Sequence, residues 1–175
     1  MPPNLKFGDC GFESHSEYHN KMSEQIDFEE RLKQKYPKLF YECGDILSCP
    51  CGVDVPLGWE KIIDNLCGSI YDYVLLTVRY RKDSETGEII KEEPSFVKID
   101  QIKQKFGGLR FYCTGGDSDV SGMIRFAEFL CDKTCEVTGE EGQLCKNSSG
   151  WYRTLSESIC KTEEYSDFKI AKKLL

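Results

Sequence analysis

The sequence lacks several features that would point to common functions. It has only two histidines, His15 and His19, both in a polar N-terminal stretch. No apolar run approaches the roughly 18 residues that a membrane span needs, and the first residues do not resemble a secretory signal. We therefore expect a cytoplasmic protein without a membrane span. Walker loops, Gly-x-Ser-x-Gly elbows and His-Glu-x-x-His motifs are absent, and no carboxylates are spaced as an acid/base pair, so the sequence predicts that the protein is not an enzyme.

Basic residues are fewer than acidic ones. The 175 residues include 23 Lys and Arg against 30 Asp and Glu, which gives a net charge of -7 at pH 7. This balance opposes binding to nucleic-acid backbones or anionic membranes by charge alone, although a local basic patch could still bind such a ligand. It is typical of a soluble protein, and it also suits an acidic protein that docks on a basic partner surface.

Apolar periodicity predicts a small α+β fold. The chain is 39 % hydrophobic, which is enough for one compact core with or without a small appended module. The predicted elements are helices over 23–37, 59–71 and 120–131, a hairpin of 74–80 with 89–90, and a hairpin of 95–104 with 109–113. We expect a small antiparallel sheet made of these two hairpins, with the helices packed on one face.

The densest pattern is the block over 102–112, Ile-Lys-Gln-Lys-Phe-Gly-Gly-Leu-Arg-Phe-Tyr. Its two glycines permit the positive φ angles of a tight turn, and Phe106, Leu109 and Phe111 are expected to anchor the hairpin in the core. The preceding Asp100-Gln101 step interrupts the strand alternation, which predicts a β-bulge.

The same block has a functional interpretation. Basic residues flank the Gly-Gly turn, so its backbone amides and cations could bind an anion, and the tyrosine could stack on a base. Further along, a Trp-Tyr-Arg segment contains the residue types that are enriched at interface hot spots. The candidate ligand-binding or partner-binding residues are Lys105, Gly107, Gly108, Arg110, Tyr112, Trp151, Tyr152 and Arg153.

The chain is rich in cysteine, with ten in all. Without a predicted export signal, these favour reduced thiols, core residues or metal ligands over disulfides. One candidate metal cluster is Cys43, Cys49 and Cys51, for which redox chemistry and local packing are the alternatives. The other is Cys135, Cys145 and Cys160, whose spacing matches no standard zinc motif. The sequence predicts no cofactor, and zinc is the one metal that these cysteine clusters could bind.

Two motifs resemble a family of small proteins found in bacterial genomes, prophages and phages. They are the Lys-Phe-Gly-Gly-Leu-Arg-Phe-Tyr block and a downstream knuckle, and the likeness covers roughly residues 37–160. The resemblance implies a C-terminal zinc ribbon with a Cys-x-x-Cys-Gly knuckle and a Gly-Trp-x-Arg-Thr-Leu-Cys segment. Here the matching positions read Cys135-Glu-Val-Thr138-Gly139 and end at Ser156. Because hydroxyls are poor zinc ligands, we expect a degenerate module.

These observations predict three parts: a polar arm over 1–20, an α+β core over 21–134, and a degenerate cysteine-knuckle module with a C-terminal helix over 135–175. The resemblance and the missing catalytic motifs favour a non-catalytic binding or inhibitor protein of phage or mobile-element origin. Its partner would be a host protein, for example in a defence system. The alternatives are a nucleotide- or nucleic-acid-binding module that uses the Gly-Gly hairpin, and a cysteine-dependent metal or redox protein.

Overall fold

The computed structural model describes residues 27–41, 52–76, 79–92 and 96–171. The predicted arm, both histidines and the cluster of Cys43, Cys49 and Cys51 lie outside these residues.

Within the described residues the fold is α+β, as predicted. The helices are α1 (27–35), α2 (Glu60–Leu76), α3 (Ser118–Cys131) and α4 (Glu157–Cys160). The strands are β1 (Gly52–Asp54), β2 (Arg79–Lys82), β3 (Ile89–Glu92), β4 (Val97–Lys105), β5 (Gly108–Gly115), β6 (Gln143–Lys146), β7 (Tyr152–Leu155) and β8 (Lys169–Ile170).

The central sheet has three strands in the order β1-β4-β5. β4 and β5 form the predicted antiparallel hairpin, and its register shifts between Ile99 and Gln101, which confirms the predicted bulge. β1 pairs in parallel with β4, so this sheet is mixed and not wholly antiparallel as predicted. A strand of three residues carries too short an alternation for the sequence to reveal its partner.

The main core lies between one face of β4–β5 and the helices. It is built from apolar side chains that each element supplies at its own period, as expected for amphipathic helices and half-buried strands. Its members include Leu32 of α1, Ile63 and Ile70 of α2, Ile99 and Ile102 of β4, Leu109 and Phe111 of β5, and Val120 and Ala127 of α3. Helix α3 begins after Asp117, whose side chain accepts hydrogen bonds from the backbone N–H groups of Asp119 and Val120.

β2 and β3 form the first predicted hairpin as a separate two-stranded sheet. Its turn is held by the Asp83 carboxylate, which accepts hydrogen bonds from two backbone N–H groups at 2.8 Å. The prediction was wrong to place Val74 and the two leucines after it in the first strand, because they form the last turn of α2. Their composition favours a strand, but Val74 packs against the main core as part of the helix.

A second three-stranded sheet, antiparallel and ordered β7-β6-β8, forms the C-terminal part of the fold. It has a small core of its own, whose buried members are Cys135, Cys145, Leu155, Tyr165 and Phe168. In the described chain after α3, the only helix is the single turn α4. No helix of the described segments is long and apolar enough to cross a membrane.

Candidate functional site

The two groups of predicted binding residues meet where the tip of the β4–β5 hairpin contacts the C-terminal sheet. The hydroxyl of Thr154 donates a hydrogen bond to the carbonyl of Gly107 at 2.6 Å. The side-chain amide of Gln104 donates to the carbonyl of Tyr152 and to Oε2 of Glu136, each at 3.2 Å. We call this contact the junction. It brings together residues that lie 47 and 48 positions apart in the sequence.

Both glycines of the hairpin turn are buried at the junction. Gly107 has a φ of +77°. A Cβ there would lie 2.5 Å from Cδ1 of Leu144 and 3.2 Å from the backbone of Arg153. A Cβ on Gly108 would lie 3.1 Å from Oδ1 of Asp132. The protein itself therefore occupies the space beside the turn, and this geometry favours a docking role for the glycines over anion binding.

A buried carboxylate, Glu136, lies inside the junction with only 1 % of its surface exposed. Its Oε1 is 3.2 Å from Nη1 of Arg153, and the backbone N–H of Thr154 donates to its Oε2 at 3.3 Å. Burial raises the pKa of Glu136, while Arg153, Gln104 and Thr154 oppose that shift. Arg153 also donates to the hydroxyl of Tyr165 at 3.4 Å. Arg153, one of the predicted binding residues, therefore helps to hold the junction together.

Phe106, expected in the core, is instead 68 % exposed at the hairpin tip, so that prediction was wrong. Its φ is +54°, in the left-handed region that a bulky residue rarely adopts. In a two-residue turn with positive φ at both positions, the first side chain stands clear of the strands, and asparagine or aspartate is usual there. The position of Phe106 in the turn between Lys105 and Gly108, and not its residue type, therefore places the ring outside the core.

Trp151 is 72 % exposed and stands at the end of the β6–β7 turn. Its backbone N–H donates to Oδ1 of Asn147 at 2.8 Å, and its carbonyl accepts from the Asn147 N–H at 3.0 Å. The hydroxyl of Ser148 donates to Oδ2 of Asp167 at 2.8 Å, which ties the turn to the segment before β8. The turn therefore fixes the backbone that carries the indole.

The two exposed rings lie beside the same contact. Because Gly107 approaches the backbone of Arg153, the Cα atoms of Phe106 and Trp151 are at most about 15 Å apart. Lysines accompany the rings: Nζ of Lys105 is 5.4 Å from the Phe106 ring centroid, and Nζ of Lys146 is 5.0 Å from that of Tyr152. We call these residues the junction surface: Lys105, Phe106, Lys146, Trp151 and Tyr152. Phe106 and Lys146 were missed as site residues, because only the tertiary fold brings the two turns together.

The remaining predicted binding residues lie on the face of β4–β5 that points away from the main core. Lys103 and Arg110 are register partners on neighbouring strands. Nζ of Lys103 is 5.3 Å from the ring centroid of Tyr112, which is 44 % exposed. Asp54 is the register partner of Lys103 on the other side. We call Lys103, Arg110 and Tyr112 the open sheet face.

A cleft of about 1170 Å³ lies between α1, α2 and the segment that follows α3. Its walls contain basic residues, but Arg31 is paired with Glu60 at 2.6 Å and Lys35 with Asp64 at 2.7 Å. Those cations are therefore already neutralised. The cleft contains none of the predicted binding residues.

The predicted C-terminal metal ligands Cys135, Cys145 and Cys160 share the small core but are not arranged to hold a metal ion. Burial disfavours the thiolate of Cys135, but the nearby hydroxyls of Thr138 and Ser156 and the backbone N–H groups of Thr138 and Val137 favour it, so its pKa lies below the usual value. These two hydroxyls stand where the resemblance implies thiols. Cys145 and Cys160 instead contact each other, with their Sγ atoms 3.8 Å apart.

These donor sets do not fit zinc. One thiol and two neutral hydroxyls lack the soft ligands that a structural zinc site needs. Across the described segments, no group of three or more His, Cys, Asp or Glu side chains is arranged to hold a metal ion. The zinc-ribbon character of this part thus stays a prediction from the resemblance.

The chain matches no protein-family model, no curated protein and no solved structure. The resemblance to the phage and prophage family therefore stays a prediction from motifs. The junction surface and the open sheet face are the two candidate binding sites of the described residues.

Proposed function

We propose that the protein is a non-catalytic binding protein that engages a partner protein through the junction surface. The observation that carries this proposal is Trp151, an indole that is 72 % exposed on a turn held by hydrogen bonds to Asn147. Tryptophan dominates interface hot spots because it buries a large apolar area when a partner covers it. Because the turn already fixes the backbone of Trp151, binding has to order only its side chain.

Phe106 extends this apolar area. A left-handed backbone costs a non-glycine residue about 1–2 kcal/mol, and such strain is concentrated at functional sites. Phe106 combines this backbone, with a φ of +54°, with a ring that is 68 % exposed. A strained turn that exposes an aromatic ring is typical of a recognition site, whereas a core would bury the ring.

The charge beside these rings indicates the chemistry of the partner. Two lysine ammonium groups of the junction surface, Lys105 and Lys146, lie 5.4 and 5.0 Å from the ring centroids of its aromatic residues. This surface is therefore locally basic, although the chain as a whole has a net charge of -7. A complementary partner would present an apolar pocket with acidic groups at its rim. In keeping with the resemblance, we take the partner to be a host protein, and inhibition of a defence system to be the biological role.

The test is affinity capture from host lysate, followed by titration of the purified partner against variants. Trp151→Ala and Phe106→Ala are each expected to weaken binding about 30-fold, since hot-spot truncations cost about 2 kcal/mol. Phe126→Ala is the matched control, because this phenylalanine on α3 is 63 % exposed and lies outside the junction surface. Unchanged affinity in both junction variants, or loss of binding in the control, would contradict the proposal.

A second candidate function is the binding of a single-stranded nucleic acid at the open sheet face. The specific observation is the register pairing of Lys103 with Arg110. Like charges directly opposite on neighbouring strands destabilise a sheet. Asp54 faces Lys103 from the other side, and a bound phosphate would offset the charge of Arg110. Tyr112, with 44 % of its surface exposed, could stack on a base.

This second function is tested with labelled single-stranded oligonucleotides. Two phosphate contacts predict a slope of about -1.4 in log K against log salt, and Arg110→Ala should reduce that slope. Arg125→Ala is the control, because it removes an exposed arginine from α3. Equal effects of the two substitutions, or no binding at low salt, would reject the open sheet face as a nucleic-acid site.

A further inference from the structure

Cys145 and Cys160 form a pair of thiols in direct contact. Their Sγ atoms are 3.8 Å apart, although the residues are 15 positions apart in the chain. Cys145 is buried on β6, whereas Cys160 ends α4 and is partly exposed. Neither residue belongs to the junction surface or to the open sheet face. The proposed binding function leaves the pair without a role.

We propose that Cys145 and Cys160 form a reversible disulfide, so that this pair is an oxidation site for a low-molecular-weight disulfide such as oxidised glutathione. The two Sγ atoms need only move from 3.8 Å to about 2.0 Å. Cys160 lies on a helix of one turn, which can shift without disturbing a long ladder of hydrogen bonds. The site does not depend on the proposed binding function.

The reaction proceeds by two thiol–disulfide exchanges. The Cys160 thiolate attacks one sulfur of oxidised glutathione, a protein–glutathione disulfide forms, and one glutathione leaves as a thiolate. Cys145 then loses its proton to solvent and attacks Sγ of Cys160, which displaces the second glutathione. Two protein thiols are oxidised to one disulfide, and one glutathione disulfide is reduced to two thiols.

Exposure decides the order of these steps. Cys160 is the thiol that solvent reaches, whereas Cys145 is buried. Burial, with a further effect from the neighbouring Cys160, raises the pKa of Cys145 above its usual value. The second exchange is therefore the slower one, and the mixed disulfide on Cys160 is an observable intermediate.

The disulfide would join β6 to α4 across the small core of the C-terminal sheet. A third thiol, Cys135, is also buried in this core and is not part of the proposed bridge. Oxidation would thus make the C-terminal sheet more resistant to local unfolding and proteolysis. Because β6 also leads into the turn that carries Trp151, the sheet that presents the indole would be fixed at the same time.

The test uses the full-length protein in glutathione buffers of defined redox ratio, followed by alkylation and trypsin digestion without reductant. Trypsin places Cys135 and Cys145 in one peptide, Thr134–Lys146, and Cys160 in another, Thr154–Lys161. We expect these two peptides to be linked in the native protein. The link should be lost in Cys145→Ala and in Cys160→Ala.

Cys113→Ala is the control that should keep the link, because Cys113 lies on β5 and outside this pair. Fragmentation of the linked wild-type peptides assigns the bridge even where a variant fails to fold. A glutathione adduct on Cys160 that never advances to a bridge would overturn the proposal. So would a bridge through Cys135, or a bridge that forms only in denatured protein.

Discussion

Replacing Gly107 with alanine would test whether docking at the junction holds the hairpin in place. The substitution adds one methyl group to a residue with a φ of +77°. That group would lie 2.5 Å from Cδ1 of Leu144 and 3.2 Å from the backbone of Arg153. The leucine can rotate away. The backbone of β7 cannot retreat without stretching the hydrogen bond from Thr154 to Gly107, which is 2.6 Å long.

The cost has two parts of known size. A left-handed backbone costs alanine about 1–2 kcal/mol relative to glycine, and an extra carbon in a packed contact costs about 1–3 kcal/mol. Gly107→Ala should therefore lower the free energy of unfolding by about 2–5 kcal/mol, a large share of the roughly 5–15 kcal/mol that keeps a domain folded.

Substitutions at two other glycines allow the conformational cost and the steric cost to be measured separately. Gly87 has a φ of +74°, and an added Cβ would meet only Cε of Lys82 at 3.8 Å. Gly150 has a φ of +91° and would meet nothing within 4 Å. Alanine at either position should cost only the conformational part, about 1–2 kcal/mol. The excess cost at Gly107 is the steric cost of the added methyl group at the junction.

The measurement is urea unfolding of the three variants, followed by circular dichroism, with the slope m compared as well as the midpoint. An equal loss in Gly107→Ala and Gly150→Ala would refute the tight contact. The hairpin tip would then not depend on its docking against β7. Partner binding gives a second readout, since a displaced turn also moves Phe106 relative to Trp151.

Three further substitutions have defined outcomes. Burial raises the pKa of Glu136, so this carboxyl contributes most stability below its unfolded pKa of about 4.3 and loses that contribution as the pH rises through the folded pKa. Glu136→Gln should abolish this dependence in unfolding titrations from about pH 4 to pH 7. Asp117→Ala removes the N-cap of α3 and should cost about 1 kcal/mol of unfolding free energy. Thr154→Val leaves the carbonyl of Gly107 without its hydroxyl donor and should cost about 1–3 kcal/mol.

Each of these has a control. Asp117→Asn keeps an N-cap acceptor and should restore most of the stability that alanine loses, whereas an equal loss would assign the effect to another contact of Asp117. Thr154→Ser keeps the hydroxyl and should cost less than valine does. If wild type and Glu136→Gln show parallel pH profiles, the buried carboxyl does not have the raised pKa.

Part of the candidate site could be predicted from the sequence. Of the junction surface, Lys105, Trp151 and Tyr152 were singled out by residue type alone, whereas Phe106 was expected in the core and Lys146 was not singled out. Their convergence was not predictable, because nothing in either segment encodes a contact across 47 or 48 residues of chain. The pairing of Cys145 with Cys160, and the placement of Thr138 and Ser156 around Cys135, depend in the same way on the packing of β6, β7 and α4.

The sequence by itself determined the local elements of this protein. Apolar periodicity and turn residues specify α2, α3, the β4–β5 hairpin and its bulge, because each depends on neighbours within a few residues. Only the tertiary structure decided the parallel pairing of β1, the helical state of Val74, the exposure of Phe106 and the docking role of Gly107. Those outcomes depend on which distant surface each residue meets, and local sequence preferences carry no record of it.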